Sequence, residues 1–184
     1  MHLIPGIAKT ENDLHQILAL QEKNLKQHLS EDQKSTEGFL TMQFSFELMN
    51  NLHKLAPSIV VRDEDKIIGY AIVLLKEGRT FYTDLEGMFV NLEKLQWKGV
   101  SLADYKFYVM GQICVDKDYR GQNVFAMLYE EHKNIYKDQF DFIVTEISTS
   151  NARSNRAHEK TGFKVLDTYR DHLDEWNVVL WDWS

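Results

Sequence analysis

The ten residues YRGQNVFAML, Tyr119 to Leu128, run an Arg-Gly pair into an amphipathic stretch. This is how a chain prepares a helix N-terminus to receive a phosphate. The first-turn N–H groups have no acceptor inside the helix, and the helix dipole adds positive potential beside them. The apolar run GQICV precedes the stretch through the turn DKDYRG, so the donors point into the crevice at a strand's carboxyl end. The same residues also read as an ordinary strand-to-helix turn. No Gly-Lys-Ser/Thr follows, which excludes a Walker A loop, and the dinucleotide pattern G-x-G-x-x-G is absent.

The elements that must hold this turn alternate along the chain. A short strand is expected near Leu3 to Ala8. A helix follows through residues 11–25, with Leu14, Ile17, Leu18, Leu20 and Leu25 as its apolar positions. Residues 29–39, LSEDQKSTEGF, read as a long polar loop, and residues 41–55 as a second helix stopped by Pro57. SIVVRDEDKIIGYAIVLLK reads as a β-hairpin turning at Asp63-Glu64-Asp65. Thr80 to Trp97 reads as an irregular excursion with one short helix.

Lys106 to Val115 is apolar on both faces, as a central strand must be, and Gly111 inside it marks a bulge or a close backbone approach. From Phe125, apolar residues recur at Leu128, Tyr129, His132, Ile135 and Tyr136 with helical spacing. FDFIVTEIS is a strand, NARSNRAHEKTG a short helix closed by Gly162, and FKVLDTYRD and EWNVVLWDW are two further strands. The order implies an α/β (α+β) fold, a mixed sheet of six to seven strands flanked by helices in one domain over residues 1–184.

Composition narrows the function classes. At 43% hydrophobic and 12% aromatic, 184 residues suit one globular core. Twenty-eight acidic against 21 basic side chains, a formal charge of -7, oppose nucleic acid as a partner. The same sign favours cationic substrates such as amines, although solubility alone accounts for it. No apolar stretch is long enough to span a membrane and the start of the chain has no leader pattern, so the expected location is cytoplasmic. The single cysteine, Cys114, has no partner for a disulfide, and the seven histidines show no metal-binding spacing, so no metal is expected.

A second stretch changes the weight of the first. Asn151 to Phe163, NARSNRAHEKTGF, falls one helix and one strand after the phosphate turn. Together the two segments resemble the GCN5-related N-acetyltransferase (GNAT) superfamily. Arg120 stands at the first position of that family's Q/R-x-x-G-x-G/A loop. Asn151, Ser154, Lys160, Gly162 and Phe163 match its later N-x-x-A/S-x-x-x-Y-x-K-x-G-F motif. The detailed resemblance covers residues 106–184, and the earlier elements come in the family's order.

The resemblance implies a centrally splayed sheet and acetyl-CoA (coenzyme A) bound where two parallel strands part. Ile113, Cys114 and Val115 would offer backbone hydrogen bonds to the pantetheine arm. Arg120, Gly121, Gln122, Asn123, Val124 and Phe125 would wrap the pyrophosphate, and Asn151 and Ser154 would contact the cofactor. Three residues depart from the pattern. Asn123 stands for glycine, a substitution that positive φ tolerates. Phe125 stands for Gly or Ala, its ring expected to turn into the core. His158 stands for the tyrosine that many members use to protonate the leaving thiolate, and could act as that acid or as a packing or CoA contact. Glu146 is the carboxylate placed to serve as base, or a surface glutamate or helix-capping partner.

The acceptor site is expected from the Glu37-Gly38-Phe39 loop, the Thr80 to Trp97 excursion and the Asp171 to Glu175 turn. Tyr82, Phe89, Trp97 and Tyr105 either wall it or pack in the core. The final strand, with three tryptophans, either seals the sheet or pairs with a second subunit as a homodimer. The implied activity is transfer of an acetyl group to a primary amine of a small molecule or peptide by direct attack in a ternary complex. A noncatalytic acyl-CoA-binding module and an unrelated phosphate-binding α/β protein are the rivals.

Overall fold

The computed structural model describes residues 2–183, without the side chains of residues 35–37. In chain order the elements are β1 (Leu3–Ile7), α1 (Glu11–Glu22), α2 (Glu31–Glu37), α3 (Phe46–Leu55), β2 (Ile59–Asp63), β3 (Lys66–Leu74) and α4 (Thr83–Leu92). A two-residue ribbon follows, β4 (Gln96–Trp97) with β5 (Val100–Ser101). Then come β6 (Phe107–Val115), α5 (Val124–Tyr136), β7 (Phe142–Ser148), α6 (Ala152–Thr161), β8 (Lys164–Arg170) and β9 (Glu175–Asp182). The seven long strands form one mixed sheet in the order β1-β2-β3-β6-β7-β9-β8.

The sheet separates two layers of core. From Tyr70 to Leu74, alternate residues of β3 face opposite ways: Tyr70, Ile72 and Leu74 pack with Leu14, Ile17, Met49 and Phe89 of α1, α3 and α4. Ala71 and Val73 pack with Val124, Leu128 and Tyr129 of α5 on the other side. Gly69 lets α5 come close, since a Cβ there would sit 2.7 Å from Val124 Cγ1. That approach sets how near the start of α5 lies to β3.

One pairing defines the centre. β6 and β7 run parallel but pair only at Phe107↔Phe142, Tyr108↔Ile143 and Val109↔Val144. Beyond Val109 and Val144 the strands part, and Thr145 Oγ1 donates across the opening to Met110 O at 2.7 Å. Gly111 sits at the adjacent bulge, where β6 skips a residue against β3. A side chain there would run into Leu74.

Three expectations shift. The 29–39 segment contains α2, begun by a Ser30–Gln33 capping box. The helix expected from Thr41 starts only at Phe46, with Ser45 as its cap. Residues 39–44 instead form an irregular strap, held by side chains described below. The tryptophan-rich β9 is no edge strand, because it lies paired between β7 and β8. It seals the sheet, and the free edges belong to β1 and β8.

Candidate active site

The parted strands open into two cavities that meet at Phe39, Leu40, Ile113, Asn151 and Ser154. The larger, about 750 Å³, is framed by the end of β6, the 119–123 turn, the start of α5 and one face of α6. Ile113, Cys114 and Val115 line it, as do Arg120, Gly121, Asn123, Val124 and Phe125. Gln122 belongs to the same turn but is exposed, and its side chain bonds back to Asp118 O.

The turn has the conformation a backbone cradle needs. Gly121 lies at φ 79°, and Asn123 is left-handed at φ 65°, ψ 9°. Asn123 makes no side-chain cap. The first helical hydrogen bond is Met127 N to Asn123 O, which leaves the N–H groups of the opening turn facing the cavity. Nothing lies within 4 Å of where a Gly121 Cβ would be. Arg120, Arg153 and Lys160 add positive charge to the walls. Open donors, a helix dipole and three cations fit the phosphates of a coenzyme A nucleotide.

Sequence reasoning missed Arg153 and Lys160 as wall residues. Their signal was present: Arg153, Ala157 and Lys160 follow i, i+4, i+7 spacing, so one face of α6 turns toward the cavity. Phe125 packs edge-on against Tyr129 and His158, with ring centroids 5.2 and 5.1 Å away, and also lines the cavity. The Cys114 thiol is pushed up to about 12 by burial and is inert.

Two of the expected site residues are bonded within the protein. Asn151 lines both cavities, yet its amide is already engaged. Oδ1 caps α6 by accepting from Ser154 N at 3.2 Å, and Nδ2 donates to Phe39 O at 3.0 Å. It thereby starts α6 and ties the strap while lining the larger cavity. His158 is 1% exposed, and both ring nitrogens have protein partners. Nδ1 donates to the Ser154 carbonyl at 2.8 Å, so Nε2 accepts from the Tyr129 hydroxyl at 2.6 Å. Burial lowers its pKa to about 4, against the opposing pull of the Ser154 carbonyl. A neutral ring so engaged holds its one proton on the Ser154 carbonyl, an arrangement that suits the packing reading better than the acid reading. Ser154 Oγ, 3.4 Å from His158 Nδ1, keeps its hydrogen for another acceptor and lines both cavities.

The smaller cavity, about 350 Å³, lies beside β7. All three segments expected to form an acceptor site reach it: Phe39 from the strap, Asp84, Leu85 and Met88 from α4, and Asp171 to Leu173 from the β8–β9 turn. The Glu37 side chain lies outside the described residues. Of the aromatic candidates, Phe89 is core, Tyr82 is exposed, and Trp97 and Tyr105 line a separate hollow at the other end of the sheet.

Glu146 projects into this smaller cavity. The Tyr169 hydroxyl, reaching over β9 from β8, donates to Oε1 at 2.9 Å. Burial raises the carboxyl to about 7, which outweighs the lowering effect of the Tyr169 hydrogen bond, and Asp171 adds to the rise. A carboxyl that changes charge near neutrality can take a proton from a cationic amine and still be ionised before doing so.

Among the described residues, no group of three or more His, Cys, Asp or Glu is placed to hold a metal, and no helix is long and apolar enough to cross a membrane. The profile of the Acetyltransferase (GNAT) family matches residues 17–163. No curated protein matches the chain. Solved structures share its fold. The ribosomal-protein-S18-alanine N-acetyltransferase from Escherichia coli is 14% identical, with a TM-score of 0.66 over 100% of this chain and 95% of that one. The NatC complex bound to Gag peptide and CoA gives 12% identity and 0.67 over 100% of both chains. The yncA protein from Salmonella typhimurium, solved with its cofactor acetyl-CoA, gives 12% and 0.63 over 100% and 95%.

Proposed function

The chain belongs to the GNAT acetyltransferase family, and on that premise we propose that it moves an acetyl group from acetyl-CoA to a primary amine held in the smaller cavity. Acetyl-CoA, the family's cofactor, supplies the acetyl group as a reactive thioester. The 119–126 turn and α5 N-terminus hold its phosphates by backbone N–H groups, with Arg120, Arg153 and Lys160 balancing their charge. β6 from Ile113 to Val115 offers backbone groups that its partner strand, having parted, no longer pairs with.

Glu146 acts as the base. Its carboxylate receives the acceptor's ammonium and removes a proton, and the neutral nitrogen attacks the acetyl carbon. The new C–N bond would form as the C–S bond breaks, and the second proton lost by the nitrogen would pass through solvent to the thiolate, leaving the amide and the free thiol. Ser154 Oγ–H, at the junction of the cavities, is the donor assigned to the departing sulfur. Tyr169 keeps Glu146 aimed into the cavity.

The observation that carries this reading is Glu146, a carboxyl with a pKa of about 7 at the parting of β6 and β7. The experiment is thiol release from acetyl-CoA over a panel of amines, paired with calorimetric binding of CoA. Turnover with at least one amine is expected. Tight CoA binding with no turnover across the panel would favour a noncatalytic binding module, and no CoA binding at millimolar concentration would sink both readings.

A further inference from the structure

The smaller cavity is a partly open, mostly carbon-walled chamber with one buried carboxyl. We propose that its acceptor is a primary monoamine on a compact apolar group, an aryl or branched alkyl amine small enough to lie wholly beneath the 39–44 strap. This inference rests on the acetyltransferase reading above and narrows its substrate.

The roof carries the first argument. The strap is fixed by its own polar backbone: Asn151 Nδ2 donates to Phe39 O, Gln112 Nε2 to Met42 O at 2.7 Å, and Phe44 N donates to Gln21 Oε1 at 3.0 Å. Leu40 uses both its groups, its N donating to Asn24 O and its carbonyl accepting from Lys26 N. A peptide acceptor gains affinity by pairing its backbone with an available strand or strap. Five of the strap's backbone groups, Phe39 O, Leu40 N and O, Met42 O and Phe44 N, are already paired within the protein. Lys26 Nζ reaches across to Asp174 Oδ2 at 3.2 Å, and Ser148 Oγ donates to the same oxygen. Lys26, whose N–H is bonded to Leu40 O, thereby links the strap to the β8–β9 turn.

The walls carry the second. Met42, Phe44, Leu85, Met88, Leu173 and Trp176 present mostly carbon to the chamber. Leu173 is 48% exposed at its rim, apolar surface that an apolar ligand would cover. Polar groups such as Thr41, Asn91, Gln112 and Ser148 also line it, so discrimination against a hydroxyl-rich acceptor rests on the larger carbon share of the wall. The remaining carboxylates sit at the rim and are partly occupied. Asp171 Oδ1 accepts from Leu173 N, Asp174 N and Trp176 Nε1, and Asp84 lies 4.0 Å from His172 Nε2. Glu146 is the carboxyl left for one ammonium.

The test measures kcat/KM by thiol release for four acceptors: 2-phenylethylamine, 1,4-diaminobutane, glucosamine and a hexapeptide with a free N-terminus. 2-Phenylethylamine is expected to lead each of the others by about 100-fold or more. Leu173→Asp, on an exposed turn, should raise its KM by roughly 10-fold while changing kcat and CoA affinity little. Equal or better turnover of the diamine, the amino sugar or the peptide overturns the inference, as does an unchanged KM in Leu173→Asp. Calorimetry of 2-phenylethylamine against the CoA-loaded chain separates the two levels. Binding without turnover leaves the chamber's preference standing and sinks the transferase reading. Turnover of other amines with no binding of this one does the reverse.

Discussion

The two cavities meet over five shared residues but are built on different principles. The larger cavity, proposed for the cofactor, is framed by backbone, a left-handed turn and a helix N-terminus, so binding there would depend on conformation more than on side-chain identity. Asn123 can therefore stand where the family has glycine, and Phe125 where it has a small residue, without closing the cradle. The acceptor cavity is made of side chains from the strap, α4, β7 and the β8–β9 turn, each brought in by long-range contacts. A site of the first kind tolerates substitution, and a site of the second kind fails one residue at a time.

Glu146→Gln gives the sharpest break between them. Turnover should fall by about 10²–10⁴-fold, while CoA affinity stays within twofold, roughly the scatter of such measurements. The same change should stabilise the fold above neutral pH. A carboxyl raised from 4.5 to about 7 on folding holds a proton that the unfolded chain has released. Stability is therefore lost as pH rises through that window, and glutamine removes the loss. Thermal unfolding at pH 8 should show Glu146→Gln more stable by on the order of 2 kcal/mol, with no gain at pH 4.

Gly111→Val comes next. Its side chain would collide with Leu74 at the bulge that starts the parting of the strands, at a cost of about 1–3 kcal/mol read from denaturant unfolding. Both cavities should suffer together, since both depend on that opening. Replacing Arg153 and Lys160 together by alanine should weaken CoA binding by roughly 10-fold at low salt, and by less at high salt, with the KM for amine unaffected. A change in amine KM of the same size would mean that the two cavities are not separable in this way.

The comparison also explains what could be read in advance. The strands and α5 were legible because β-branched runs and helical spacing are local signals, and Gly111 announced its bulge from within an apolar strand. The cofactor cavity was legible because a turn and a helix start are contiguous in sequence. The strap was not. Residues 41–45 look helical locally but form an irregular strap held by Gln21 and Gln112, the latter 70 positions away from Met42. Tyr169 was invisible for the same reason: it meets Glu146 only because β9 inserts between their strands. His158 could be located but its proton state could not, since that follows from burial and from Tyr129 and the Ser154 carbonyl.

Smaller effects test the finer assignments. His158→Phe leaves the buried Tyr129 hydroxyl without its acceptor and should cost about 1–3 kcal/mol of stability. Its turnover at a temperature where it is folded should fall far less than that of Glu146→Gln, because the imidazole holds its one proton on the Ser154 carbonyl. The smallest change is expected from Asn123→Gly, where CoA affinity should shift by no more than about threefold, since both residues accept the left-handed turn.

The central claim is that Glu146 is the base, and the direct measurement is kcat against pH from 5 to 9 at saturating acetyl-CoA and amine, for the wild type and Glu146→Gln. The wild type should rise about tenfold per pH unit below an apparent pKa at or just under 7 and then level, and the variant should lack that limb. A variant that keeps wild-type turnover and the same limb would contradict the account.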